Sequence, residues 1–211
     1  MKYIHTLLLM FVFYTVCEGQ NKTALLKDDK IDDWNKRLKI KDYKLPDVDS
    51  ETESHGVIIQ NSFPKGDGYA DSNGKIYGVA IFWTRIINET VNPLELKINF
   101  PADSLVILSS PDSYLKLFLL PDTLTLDKVS SYGYGVTDLK SVLDTGLKKP
   151  TMLQRTIDPQ EECLFYVGVH YLKGGGVTRT GLVLKEQNLF YKISIDLDST
   201  LIPCGHIIRN K

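Results

Sequence analysis

The chain has 211 residues and a formal net charge of −1, with 25 Lys and Arg set against 26 Asp and Glu. That balance argues against nucleic acid as a partner, since phosphate neutralisation needs a clustered basic surface. The 43% hydrophobic and 24% charged content is that of an ordinary globular domain.

Met1 to Gly19 reads MKYIHTLLLMFVFYTVCEG: one base at Lys2, an apolar run from Leu7 to Val16, then small and polar residues. This is the layout of a secretory signal peptide, and the run is too short to span a bilayer. Cleavage after Gly19 would leave Gln20 as the mature N-terminus. Cleavage behind Val16 would instead make Cys17 a lipidation site, although Tyr14 and Val16 stand where a bacterial lipobox carries Leu and a small residue. An uncleaved anchor is the third outcome. The sequence therefore points to a secreted, periplasmic or envelope protein, and no second apolar run of spanning length follows. About 190 residues remain after the leader, enough for one domain with a small appendage.

Residues 20–55 are polar and charged. Ile31, Trp34 and Leu38 fall at helical spacing, with Asp28, Asp29, Asp32 and Asp33 before the bases Lys36, Arg37 and Lys39. That charge order complements a helix dipole, so a short helix over residues 22–40 is expected, with an unstructured tether as the alternative. Residues 42–55, interrupted by Pro46, read as a linker. From Gly56 the pattern changes to short runs of Val, Ile, Tyr, Phe and Leu separated by Pro, Gly, Asp and Ser. This predicts a mainly β domain over residues 56–211, an antiparallel β-sandwich.

The expected strands cover 57–60, 76–88, 94–100, 105–108, 114–120, 152–157, 162–172, 179–185, 189–195 and 201–208. Alternation is clearest from Leu94 to Phe100, a half-buried pattern. Asp71-Ser-Asn-Gly74 reads as a hairpin turn. Gly174-Gly175-Gly176 reads as a hairpin tip, and one helical interruption is expected over 137–143.

Three cysteines become two if Cys17 leaves with the leader. Cys163 and Cys204 would then share an oxidising compartment, either as a disulfide or as buried thiols on separate strands. A bond would close a loop of about forty residues and contribute about 3–4 kcal/mol. No CxxC spacing suggests zinc or thioredoxin-type redox chemistry.

Catalytic signatures were sought by spacing. Gly-x-Ser-x-Gly, His-Glu-x-x-His and Walker patterns do not occur, and the residues point to no catalytic set, cofactor or metal site. Cys204-Gly-His206 invites a thiol–imidazole reading, but a structural histidine accounts for it as well. Asp67 to Gly74 holds oxygen donors without the spacing of a calcium loop. Glu161 and Glu162 are adjacent, so on a strand they face opposite ways and cannot form a glycosidase pair alone. Trp34, Trp83 and the Tyr132-Gly-Tyr134-Gly loop could stack on sugars or fill a core. Asn21-Lys-Thr and Asn88-Glu-Thr fit the N-glycosylation pattern of a eukaryotic secretory pathway.

Two segments, Ile86-Ile-Asn-Glu-Thr-Val-Asn-Pro-Leu-Glu-Leu-Lys-Ile-Asn-Phe100 and Thr156-Ile-Asp-Pro-Gln-Glu-Glu-Cys-Leu-Phe165, carry a resemblance. The first is similar to the strand, Asn-x-Thr turn, Pro, strand crossing of secreted immunoglobulin-like β-sandwich proteins of the Bacteroidetes type. The second is similar to their Pro-Gly-Glu turn, with Gln160 in place of Gly. The resemblance covers less than half the mature chain and implies a fold without an activity. Together these features lead to an expectation of a non-enzymatic module binding a protein or glycan. A secreted hydrolase with a dispersed site and a structural adhesion component are the alternatives.

Overall fold

The computed structural model describes residues 45–103, 105–106, 114–145, 147–172, 179–195 and 198–209. The leader, the helix expected over residues 22–40, Cys17, Asn21 and Trp34 lie outside the described residues. The larger sheet runs in the order β1 (Val48–Ser54), β2 (Val57–Ser62), β4 (Ile76–Asn88), β9 (Glu162–Leu172), β7 (Tyr114–Leu119) and β6 (Leu105–Val106). A further strand, β3 (Lys65–Ala70), pairs with β4 beyond the end of β2. The smaller sheet runs β10 (Arg179–Lys185), β11 (Asn188–Ile195), β12 (Asp198–Arg209), β5 (Leu94–Phe100) and β8 (Thr151–Ile157). All pairings in both sheets are antiparallel. The mainly β, sandwich-like architecture expected from the sequence is therefore present.

The two sheets pack face to face over one core. Phe82, Ile86, Leu96, Ile98, Phe100, Val167, Val169, Leu182, Leu189 and Tyr191 are among its buried members. Each such side chain taken from water contributes about 1.5–3 kcal/mol. A second core lies on the other face of the larger sheet. There Val79, Ile81, Trp83, Phe118 and Tyr166 are covered by Leu124, Val129, Tyr134 and Leu143 from the segment after β7. This second layer explains why β4 is buried from Gly78 to Asn88 with no alternation. The space is tight: a Cβ on Gly168 would lie 2.2 Å from the Phe118 ring, so only Gly lets that ring cross β9.

Three local expectations are corrected. The segment taken as linker contains β1, which pairs with β2 through a two-residue turn at His55 (φ 52) and Gly56 (φ 80). Its sequence, VDSETES, has no apolar alternation because it forms an exposed edge. Gly174 to Gly176 lie outside the described residues, and the strands that flank them, β9 and β10, belong to different sheets rather than to one hairpin. The helix, α1 (Leu139–Thr145), begins two residues later than expected. The Asp71–Gly74 turn is present: Asp71 Oδ1 accepts the Asn73 and Lys75 N–H groups at 2.9 Å each, and Gly74 has φ 78.

The two segments that carry the family resemblance both cross between sheets, β4 to β5 and β8 to β9. They also touch. Asn88 O accepts the Gln160 N–H at 2.7 Å, and the Asn88 N–H donates to Glu161 O at 2.9 Å. Gln160 has φ 65, a left-handed conformation that glycine adopts more readily.

Candidate functional site

The outer face of the smaller sheet is exposed to solvent, and strand pairing arranges its side chains in rows. Gln154 on β8 pairs with Lys97 on β5, Lys97 with His206 on β12, His206 with Asn188 on β11, and Asn188 with Lys185 on β10. One polar row thus crosses all five strands. A shorter apolar row, Val183, Phe190 and Pro203, lies beside it. On the other side are Ile208, 45% exposed, and the nearby polar residues Glu95 and Thr156.

A β-bulge creates this arrangement. The register shifts between Leu189 and Phe190, leaving Cys204 opposite no residue. Cys204 and Ile207 can therefore both point into the core, at 3% and 2% exposure, while His206 faces outward beside Lys97. Gly205 permits the close approach of β5, since a Cβ there would lie 1.9 Å from Lys97 O. Two shallow, open depressions meet at His206. One of about 480 Å³ lies among Glu186, Asn188, His206 and Ile208, and one of about 280 Å³ among Lys97, Asn99, Pro203 and His206.

The thiol–imidazole reading fails on the same bulge, because Cys204 and His206 lie on opposite faces of β12. Cys163 and Cys204 are free thiols, so the disulfide alternative is replaced by two thiols packed around the sandwich core. Burial pushes Cys163 up to about 11 and Cys204 up to about 12, disfavouring thiolate. Glu162 is committed to Arg85, whose Nε donates to Oε2 at 2.6 Å while Nη1 donates to Gln60 Oε1 at 3.1 Å. Gln60 Nε2 in turn donates to Glu51 Oε2 at 2.6 Å, completing a polar ladder across β1, β2, β4 and β9.

Asn88 is fully buried. Its Nδ2 donates to Asn92 O and Ile157 O at 2.9 Å each, and Oδ1 accepts the Thr90 N–H at 2.9 Å and the Thr90 hydroxyl at 2.6 Å. A glycan on Nδ2 would replace one of these donors and has no room. The sequon is a structural Asx turn, which corrects the glycosylation reading at Asn88.

Trp83 is buried in the second core and offers no stacking face. The Tyr132–Gly135 turn divides: Tyr132 is 93% exposed, while Tyr134 is fully buried in a left-handed conformation (φ 57, ψ 27). Three contacts hold that strained residue. Its hydroxyl donates to Phe63 O at 2.7 Å, its carbonyl accepts the Tyr166 hydroxyl at 2.6 Å, and Lys65 Nζ lies 4.1 Å above its ring.

Sequence reasoning missed a cluster around His170. Tyr69, Tyr77 and Tyr114 from β3, β4 and β7 surround it, with ring centroids 5.9, 4.6 and 5.7 Å away. The Tyr114 hydroxyl lies 3.1 Å from Nδ1, and Nε2 is buried without a partner among the described residues. Lys116, also buried, is the cross-strand neighbour of His170 and donates through Nζ to Ala102 O. Burial, reinforced by the Lys116 ammonium, lowers His170 to about 4, so the ring is neutral near pH 7. The only sequence signal was spacing: Tyr114 precedes Lys116 by two, and Tyr69 and Tyr77 flank the Asp71–Gly74 turn.

Among the described residues no group of three or more His, Cys, Asp or Glu side chains is placed to hold a metal ion. No helix among them is long and apolar enough to cross a membrane. No family model matches the chain, and no curated protein sequence matches it.

Proposed function

We propose that this chain is a secreted or envelope-associated β-sandwich module that binds a protein partner on the outer face of its smaller sheet. The observation that carries the reading is the character of that face. Ile208, 45% exposed, lines one of the two depressions that share His206, and Met152, 64% exposed, is the cross-strand neighbour of Asn99, which lines the other. Aliphatic and Met side chains beside polar amides suit the core and rim of a protein interface. The leader-like residues 1–19 support the extracellular or envelope address. The cross-sheet connections at Asn88 and Gln160 support an immunoglobulin-like relationship for the sandwich.

A glycan-binding reading has one supporting observation, Tyr132, presented at 93% exposure on the strained turn. A single aromatic is a small stacking platform, and it lies outside the proposed face.

The test is a binding screen of the mature chain against panels of extracellular proteins and glycans, repeated with Met152→Asp, Ile208→Asp and Tyr132→Ala. A protein partner lost with the first two and retained with the third is the expected result. No ligand on either panel, or a glycan lost only with Tyr132→Ala, overturns the reading.

A further inference from the structure

The charge on the proposed face opposes that of the domain around it. Residues 45–211 hold 16 Lys and Arg against 20 Asp and Glu. Yet the outward positions of the smaller sheet carry Arg179, Lys185, Lys192 and Lys97, against Glu95 on β5 and Glu186 in the β10–β11 turn at the rim of one depression. Arg179 is drawn toward Asp49, 3.6 Å away. The three lysines are exposed and form no ion pair among the described residues, although Lys185 Nζ lies 5.8 Å from the Phe190 ring centroid.

Lys185 and Lys97 end three strand steps of the polar row, about 14 Å at the usual strand spacing. Lys192 lies four residues along β11 from Asn188, about 13 Å away at the usual rise. Between these charges are groups that bind peptides, the Asn188 amide and the apolar Val183, Phe190 and Pro203, with the Gln154 and Asn99 amides beside Lys97.

We infer that the partner of this face is an acidic polypeptide segment, whose carboxylates meet Lys97, Lys185 and Lys192 while its apolar side chains enter the depressions at His206. The inference rests on the proposed function and adds the partner's chemistry. A polypeptide is favoured over an anionic membrane because His206 and Asn188 separate Lys97 from Lys185 along the row, and Ile208 and Pro203 line recesses beside them. Exposed lysines contribute modestly one at a time, so the contact should be salt-sensitive and should act mainly on association.

The experiment is titration of the mature chain with poly-L-glutamate and, separately, with phosphatidylcholine vesicles containing about one-quarter phosphatidylserine. Wild type is compared with Lys97→Glu, Lys192→Glu and the exposed control Lys149→Glu. Poly-L-glutamate should bind wild type and the control, and weaken about tenfold or more between about 50 and about 500 mM salt. Each face reversal should weaken it by about two- to fivefold. Absence of poly-L-glutamate binding, binding unaffected by the face reversals, or vesicle binding lost with those reversals overturns the inference. If Met152→Asp and Ile208→Asp abolish a protein partner that the charge reversals leave unchanged, the face stands and only its acidic partner falls.

Discussion

Asn88 and Gln160 join the two connections by which the chain passes between sheets: the Gln160 N–H donates to Asn88 O at 2.7 Å while the Asn88 side chain bonds Ile157 O at 2.9 Å. One buried amide therefore fixes the β4–β5 crossing, and its main chain holds the β8–β9 crossing. Asn88→Ala removes the amide partner of the Ile157 carbonyl and of the Thr90 N–H, while the Asn92 carbonyl keeps the Thr90 hydroxyl at 2.8 Å. It should destabilise the domain by about 3 kcal/mol. Gln160→Gly should act oppositely, relieving left-handed strain and raising stability by about 0.5–1 kcal/mol after the greater freedom of the unfolded chain is counted. Urea unfolding of both variants reads the two signs. Destabilisation by Gln160→Gly would contradict the strain argument.

A second asparagine joins the sheets at their open edge. Asn61 Nδ2 donates to Leu182 O at 3.1 Å, and the Leu182 N–H donates to Asn61 Oδ1 at 2.9 Å, so a side chain pairs with β10 as a strand would. The Thr84 hydroxyl donates to the same oxygen at 3.1 Å. Asn61→Ala should cost about 2–3 kcal/mol and expose the β10 edge. Concentration-dependent association, measured by sedimentation velocity, should rise together with the loss of stability. An unchanged unfolding midpoint would show that this amide does not close the edge.

His170 predicts a pH dependence with a definite sign. Its folded value of about 4 lies below the ordinary 6.5, so between these values the unfolded chain binds a proton that the folded chain refuses. Its contribution is intact above about pH 6.5 and is lost as pH falls toward about 4, a change on the order of 3 kcal/mol. Lys116, Tyr69, Tyr77, Tyr114 and Asp71 surround the ring or act on it electrostatically, and none supplies a carboxylate at Nε2. Chemical denaturation across that range should show a flatter slope for His170→Gln than for wild type. Parallel slopes would assign the dependence to other groups.

Much of the sandwich was legible because inward residues of strands such as Leu94–Phe100 alternate, and β4 was expected over its full length from Ile76 to Asn88, although its burial on both sides was not. The edge strands were not, since VDSETES and KGDGYA gain strand geometry only by pairing with β2 and β4. The polar row was also invisible. Lys97, Lys185, Asn188 and His206 are remote in sequence or on separate strands, and register brings them together. The bulge at Cys204 then reverses the face that strict alternation would assign to His206. The left-handed Gln160 was readable only as a departure from the Gly of similar turns.

Site-specific photocrosslinking on the producing cell tests the role of the outer sheet face most directly. A photoreactive residue replaces Met152 or Ile208 on that face, or Val91 or Tyr132 away from it, and the adducts are identified by mass spectrometry. Positions 152 and 208 should yield one and the same polypeptide, crosslinked through an acidic segment, while 91 and 132 should not. Adducts confined to 91 or 132, or none at 152 and 208, would contradict the assignment of this face.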